Sequence, residues 1–444
     1  MKKRWYVFAL AALTLTACSE SDEMAQDATA IAVEDTTPVP VQLKAGNAVS
    51  AFTKAALNTN PDGTFDDIQS MGIYGLAYDR MSVNTAPAAV NWFSTAEQSE
   101  TCCLIDNWEA YANGGTVDPS KKGDITFTNG NIKFYPATNF YCYDFYGYYP
   151  YAQEGTSAPT TVDEPVLRKD ISNNVVKAQY VIDGTQDLIW GRAHLDDEVV
   201  YADGNSSVNA YSAPWFRAKR KQPGYVSDAD LYPSIPLKHL LTRLTFVVIP
   251  AGNVDEGTDY TEAHKVWLEA LYVRNAKNNL DVIVASQNKD NITLDQAKAI
   301  SGNDGLTTLD EFYNSEEQLL SRLSVRNSTT ADLYLHGADG SLAQRMQVPD
   351  YVDNNNQWGE SIMLYPEEEY ELKVVLSYDG NPENTSEVPL TIRPSVADAA
   401  LHNGKFGIGH SYKVVLKVSG PESVVTSCTL EAWEDGEIAQ PIVM

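Results

Sequence analysis

Apolar residues in much of this chain recur at every second position, and that period constrains the fold more than any other feature. In residues 412–418, Tyr412, Val414, Leu416 and Val418 share one side of an extended strand, while Lys413 and Lys417 lie on the other. Successive side chains of a strand point to opposite faces, so such a segment hides one face and needs a second layer to cover it. Comparable runs of β-branched and aromatic residues at 71–76, 124–127, 245–249, 267–273 and 371–377 are separated by Gly, Asn, Asp and Pro, the punctuation expected between strands. The expected fold class is all-β, built of antiparallel β-sandwich layers.

The densest aromatic segment, 134–151, puts Phe140, Cys142, Asp144 and Tyr146 on one strand face and Tyr141, Tyr143 and Phe145 on the other. Bulk on both faces predicts a strand buried on both sides, with tyrosine hydroxyls at its rim. Tyr148, Tyr149 and Tyr151, beside Pro150, are the members expected to be exposed. One helical stretch is expected over about 293–323. Thr308 and Glu311 there have capping-box spacing, and Leu309, Phe312, Leu319, Leu320 and Leu323 give a rough apolar face. It separates two strand-rich halves, which sets the expected domains at 46–290 and 291–444. The basic run at 217–221, ahead of Pro223 and Gly224, reads as an exposed loop open to trypsin-like proteases.

Residues 1–17 carry Lys2, Lys3 and Arg4, then an apolar stretch, then small residues before Cys18. That is the pattern of a lipoprotein signal, cleaved to leave an acylated cysteine. The apolar stretch is shorter than the roughly 20 residues needed to span a bilayer, so the expectation is a lipid anchor on Cys18 at the outer membrane. Residues 18–45 form an acidic Thr- and Pro-containing tether with little apolar content. Loss of Lys2, Lys3 and Arg4 from 32 basic residues leaves 29 against 60 acidic ones, a net charge of −31. So acidic a chain repels phosphate backbones, which argues against a nucleic-acid partner. With Cys18 taken by lipid, Cys102, Cys103, Cys142 and Cys428 are too few for a disulfide scaffold. Cys102 or Cys103 is a candidate partner for Cys142 only if their strands are neighbours.

The sequence contains no HExxH, GxSxG, P-loop or GxGxxG pattern and no zinc-spaced cysteine pair. His194, His239, His264, His336, His402 and His410 are scattered singly, and His239, at the start of a buried-looking strand, reads as a structural hydrogen-bonding residue. The acidic groups at 196–198 and 367–369 lack the alternation of a calcium loop and read as solvated faces. No catalytic residue, metal ligand or cofactor is nominated.

Several segments, in order, resemble the fimbrillin-like family of type V pilus subunits and anchors. They are the lipoprotein signal ending at Cys18, Phe52-Thr53-Lys54, Ile73-Tyr74-Gly75, the aromatic strand ending at 146–151, and Gln186-Asp187-Leu188-Ile189-Trp190-Gly191. The series continues through residues 236–246, Gly409-His410-Ser411-Tyr412 and the stretch 429–433. The resemblance implies two tandem transthyretin-like sandwich domains and a non-enzymatic subunit joined to other pilus subunits by strand exchange. A host protein or glycan is then a candidate ligand. In shaft subunits of that family a protease removes the first strand after an arginine. Here the first arginine after Cys18 is Arg80, and only Lys44 and Lys54 lie near the expected cut. Those two lysines are the candidate processing sites, unless the strand stays in place as in an anchor. Ile438, Ile442 and Val443 in the tail are candidate donor-strand residues or part of the chain's own last edge. The alternative function is a surface glycan-binding lipoprotein of a carbohydrate uptake system, with Tyr148, Tyr149, Tyr151, Trp215 and Trp358 as stacking platforms.

Overall fold

The computed structural model describes residues 37–46, 68–80, 90–93, 102–113, 123–136, 141–195, 199–200, 207–208, 211–251, 263, 265–290, 292–420 and 423–431. All but Thr37 belong to the compact unit 38–444. The fold is all-β with a few short helices. Among the described residues no helix is long and apolar enough to cross a membrane.

The largest sheet has eight strands in the order Ser234–Pro236, Leu43–Gly46, Asp124–Phe127, Cys103–Ala112, Ile68–Arg80, Tyr141–Tyr149, Ile189–Ala193 and Lys238–His239. Its two edges are separated in sequence by Leu237 alone. Consecutive Cα atoms are only about 3.8 Å apart, so the sheet has to curl until its edges meet. It forms a roll, with Leu237 fully buried at the seam. A five-stranded sheet made of Gln153–Glu154, Val166–Asp170, Val175–Val181, Asn279–Ser286 and Leu323–Val325 shares the same apolar cluster. Trp190 Nε1 ties the two sheets together by donating to the Val284 carbonyl at 2.8 Å. The aromatic strand is accordingly buried on both faces, as its composition predicts. Tyr143 and Phe145 pack with Tyr135 and Tyr211, while Asp144 and Tyr146 face Arg192.

A second apolar cluster lies between a four-stranded sheet and an antiparallel five-stranded one. The first has the order Ile362–Leu364, Thr242–Pro250, Ser411–Gly420, Ser423–Glu431; the other is built on Thr330–Tyr334, Val266–Lys277, Tyr370–Tyr378 and Thr385–Ile392. In Ser411–Gly420 the predicted alternation holds, with Tyr412, Val414, Leu416 and Val418 buried and Lys417 exposed. Three described pairings run parallel, Thr242–Pro250 with Ser411–Gly420, Leu43–Gly46 with Ser234–Pro236 and Gln153–Glu154 with Val166–Asp170, where antiparallel layers were expected. Period-two alternation selects a face but not a direction, and a strand can offer that face running either way. Among the described residues the backbone passes between the clusters at 241–244, 277–280 and 325–331, and Met363 and Ile408, flanked by residues of the second cluster, pack into the first.

Helix α1 (Ala213–Arg220) occupies the basic run read as an open loop. Ser212 caps it by accepting from the Trp215 amide, and Trp215 and Phe216 are buried under it. Arg217 is buried too, and Arg220 pairs with Asp228 at 2.6 Å, so neither is presented to a protease as an open chain. The expected helical stretch forms as α3 (Leu294–Ser301), α4 (Leu309–Tyr313) and α5 (Glu316–Arg322), preceded by the short α2 (Gln287–Asp290) outside the expected range, and the Thr308–Glu311 capping box is present. Helix α6 (Val396–Leu401) lies later in the chain.

A buried polar network fixes this helical cover to the roll. Arg192 Nε donates to Asp144 Oδ2 at 2.8 Å, and His194 Nδ1 lies 2.7 Å from Asp144 Oδ1. The Arg192 guanidinium also reaches the Asp290 carbonyl at 2.9 Å and stacks 4.1 Å over the Tyr313 ring. Arg322 pairs with the Asp290 carboxylate and lies 3.8 Å over Trp190. Burial alone would raise the Asp144 pKa, but Arg192 and His194 outweigh it and hold the carboxyl below its ordinary range. Asp144→Asn should therefore cost about 3–5 kcal/mol by leaving Arg192 buried without a counter-charge, measured by urea unfolding. In the wild type the Asp144 contribution is complete above the unfolded carboxyl value near about pH 4 and fades as pH falls through the lower native value. The gap between wild type and variant should shrink in that acid range.

Candidate functional site

Val39, Val41, Leu43 and Ala45 alternate with Pro40, Gln42 and Lys44, and each of the four is no more than 3% exposed. This is period-two burial along one stretch, 39–46, that the sequence reading assigned to a tether. Proline and acid content upstream obscured it, since Val39, Val41 and Leu43 already show the alternation.

The stretch is bonded on both sides. The Val41 amide donates to the Lys133 carbonyl at 2.8 Å and the Tyr135 amide donates to the Val39 carbonyl at 3.0 Å. Further along, the Ala45 amide donates to Gly123 at 2.7 Å, while the Lys44 amide turns the other way to the Pro233 carbonyl at 2.9 Å. Leu43–Gly46 is thus inserted between Asp124–Phe127, antiparallel, and Ser234–Pro236, parallel. The fit is close at Gly46, where an added Cβ would come 2.1 Å from Ser234 Oγ. Withdrawing the strand would bare an apolar groove and leave two strands with unpaired backbone groups. Burial of Val39, Val41 and Leu43 alone is worth on the order of 5–9 kcal/mol.

Lys44 is half-buried inside this strand, with its backbone amide engaged. Cys18, Lys54, Ile438, Ile442 and Val443 lie outside the described residues. At the other end of the chain, Ser423–Glu431 is an edge strand of its sheet among the described residues.

The residues nominated for sugar stacking do not form a platform. Tyr148 is fully buried, contrary to its expected exposure, and its hydroxyl donates to Asn107 Oδ1 at 2.6 Å. Burial pushes its pKa well up. Its position next to Pro150 suggested a loop, but the strand continues through Tyr149. Tyr149 and Tyr151 are half-buried. Trp215 and Trp358 are each 2% exposed, Trp215 against Tyr211 and Phe216 and Trp358 donating from Nε1 to the Gln344 carbonyl at 2.8 Å. His239 is the structural residue expected, its Nδ1 lying 2.6 Å from Asp187 Oδ2. Cys103 and Cys142 sit on the two strands flanking Ile68–Arg80, which are about 9–10 Å apart, and are offset along them as well, opposite Leu76 and Asp79. A disulfide requires Cα atoms within about 7 Å, and Cys102, Cys103 and Cys142 are thiols.

The class defined by this geometry is an all-β protein whose first strand completes a rolled sheet. No protein-family model matches the sequence, and no curated protein matches it. Among solved structures the chain is similar to a "putative cell adhesion protein" from Bacteroides uniformis, at 13% identity and TM-score 0.39 over 89% of this chain and 98% of that one. It is also similar to two proteins of Porphyromonas gingivalis. One is the tip fimbrial protein Mfa3, at 8% identity and TM-score 0.30 over 89% and 100% of the two chains. The other is the fimbrial anchor protein Mfa2, at 10% identity and TM-score 0.30 over 89% and 98%. Likeness at this level does not carry function from one protein to another.

If apolar burial holds the first strand in place, Val41→Asp should loosen it. Val41 burial is worth about 1.5–3 kcal/mol, and 1.4 kcal/mol is a factor of about ten. Cleavage after Lys44 by a lysine-specific protease should therefore quicken at least about tenfold, read by mass spectrometry of timed digests. Equal rates would show that this contact does not retain the strand.

Proposed function

We propose that this protein is a non-enzymatic structural and adhesive subunit of a cell-surface pilus, anchored at the outer membrane through lipid on Cys18 and joined to its neighbours by β-strand exchange. The observation that carries the reading is the first strand in its slot. Residues 39–46 lie between two strands and are held by main-chain bonds and a single row of small apolar side chains. Main-chain bonds supply affinity in such an arrangement and the alternating pockets supply specificity, so a strand of similar pattern from another subunit could take the same place. The lipoprotein signal and the ordered fimbrillin-like motifs support the same reading. The presence of two apolar clusters supports the two sandwich domains that the resemblance implies, although the clusters interleave along the chain rather than dividing it near residue 290.

The two candidate processing sites differ in consequence. A cut after Lys44 would leave Ala45 and Gly46 in the slot, whereas a cut after Lys54 would free the whole strand. Lys54 is therefore the site whose cleavage opens the groove, and the tail residues Ile438, Ile442 and Val443 are the candidate donor.

Protein cut after Lys54 and stripped of its N-terminal fragment should capture a synthetic peptide of residues 38–46. Without peptide it should form oligomers stable in mild detergent. Trimmed, folded protein that stays monomeric and captures no peptide would refute strand exchange. Intact mass of the protein from native outer membrane separates the two roles: a lipid-bearing Cys18 terminus is expected of an anchor, and a terminus at Ala55 of a polymerising subunit.

A further inference from the structure

Beside the crossing at 241–244, three side chains meet that strand exchange does not use. Glu316 opens α5, His402 follows α6, and His410 immediately precedes Ser411–Gly420. One donor atom from each lies within 4.8 Å of the others. His402 Nδ1 is 2.6 Å from Glu316 Oε2; His410 Nδ1 is 3.4 Å from Glu316 Oε1 and donates to the Ile408 carbonyl at 2.9 Å, which leaves Nε2 as the His410 atom with a lone pair for a metal. The imidazole rings are 4.5 Å apart between centroids. Gly407 makes this possible, because a Cβ there would come 2.5 Å from His410 Nδ1 and 3.1 Å from His402 Cε1.

His402 is buried with a carboxylate at each ring nitrogen, Glu316 at Nδ1 and Asp398 Oδ1 at 3.1 Å from Nε2. Asp398 is itself buried and fixed, its other oxygen accepting from the Tyr412 hydroxyl at 2.7 Å. A neutral imidazole has only one N–H. As the rings stand the His402 hydrogen bond runs from Nδ1 to Glu316, and buried Asp398 Oδ1 has no hydrogen-bond partner; turning that hydrogen to Asp398 would satisfy it and leave the Nδ1 lone pair facing the Glu316 carboxylate, a place for a positive species between them. A carboxylate behind a histidine whose other nitrogen faces further donors is the usual outer-shell arrangement of a metal-bound imidazole.

We propose that Glu316, His402 and His410 form a binding site for a divalent transition-metal ion, Zn²⁺ by the chemistry of its donors, with Asp398 orienting His402. Two imidazoles and one carboxylate suit zinc and leave a fourth position for water. Bonds of about 2.0–2.1 Å in tetrahedral geometry put neighbouring donors roughly 3.3 Å apart. The three residues each offer a donor atom within 4.8 Å of the others, so small side-chain shifts would bring them to that spacing around the ion.

The ion joins helix α5 to the loop that leads into the second cluster. Helix α5 is seated in the first through Leu319 and the buried Arg322. The 407–410 loop is bonded to the crossing itself, with the Gly409 amide donating to Leu241, Thr242 Oγ1 to Gly407, and the Arg243 amide to His410. It then enters a central strand of the second cluster.

The test uses the whole mature chain, freed of metal with a chelator. Zn²⁺ is titrated by calorimetry and Co²⁺ by its visible absorption, which reports nitrogen and oxygen ligands in a low-coordinate site. One ion per chain is expected, with a rise in Tm on Zn²⁺ addition. His410→Asn and Glu316→Gln alter half-exposed side chains and are expected to fold; each should weaken Zn²⁺ binding by fivefold or more. Asp398→Asn, acting through His402, should weaken it about 10–100-fold. Absence of saturable Zn²⁺ binding by the folded protein would overturn the proposal and leave a proton as the positive species. A loss below fivefold in either His410→Asn or Glu316→Gln would overturn it as well, placing the ion elsewhere.

Discussion

Main-chain hydrogen bonds from residues 39–46 run to 123–135 on one side and to 233–236 on the other, segments about a hundred residues apart in sequence. The roll depends on this connection. Its opposite edges are already joined through Leu237, so the first strand is what makes the sheet continuous around the apolar interior. Without it, donors and acceptors on both neighbours lose their partners, and unpaired backbone groups away from water are costly. The proposed strand exchange would use the same set of bonds that stabilises the closed chain, since an incoming strand of matching pattern would meet the same partners.

Much of the fold was legible because it follows from local period. Ser411–Gly420 presents one apolar and one polar face, and its burial follows residue by residue. The two-sided burial of the aromatic strand follows from bulk at successive positions. Capping at Thr308 needs only residues three apart. What was not legible depends on distant partners. Tyr148 carries no local mark distinguishing it from an exposed tyrosine, and Asn107, which receives its hydroxyl, lies 41 residues away. Helix α1 was hidden by charge, although Arg217 and Arg220 are held by packing and by Asp228 rather than by solvent.

The candidate site divides in the same way. Val39, Val41 and Leu43 showed strand period, but whether such a segment is a free tether or an inserted strand depends on a slot formed by residues far downstream. Glu316 and His402 are 86 residues apart, so no spacing rule for metal ligands could have joined them. The fold brings them together where α5 meets the loop after α6. The buried charges Asp144, Arg192, Asp290 and Arg322 are likewise unremarkable in sequence and become a network only when α2 and α5 lie over the roll.

The three crossings between the apolar clusters have a mechanical consequence. Two bodies joined by one short peptide can swivel about it, and two connections reduce that swivel to a hinge. Here Thr242-Arg243, Asn278-Asn279 and residues 326–330 bridge the clusters as separate lengths of backbone. A tensile load passing from one cluster to the other is divided among three covalent connections. The two clusters should therefore resist being drawn apart as a stiff link would.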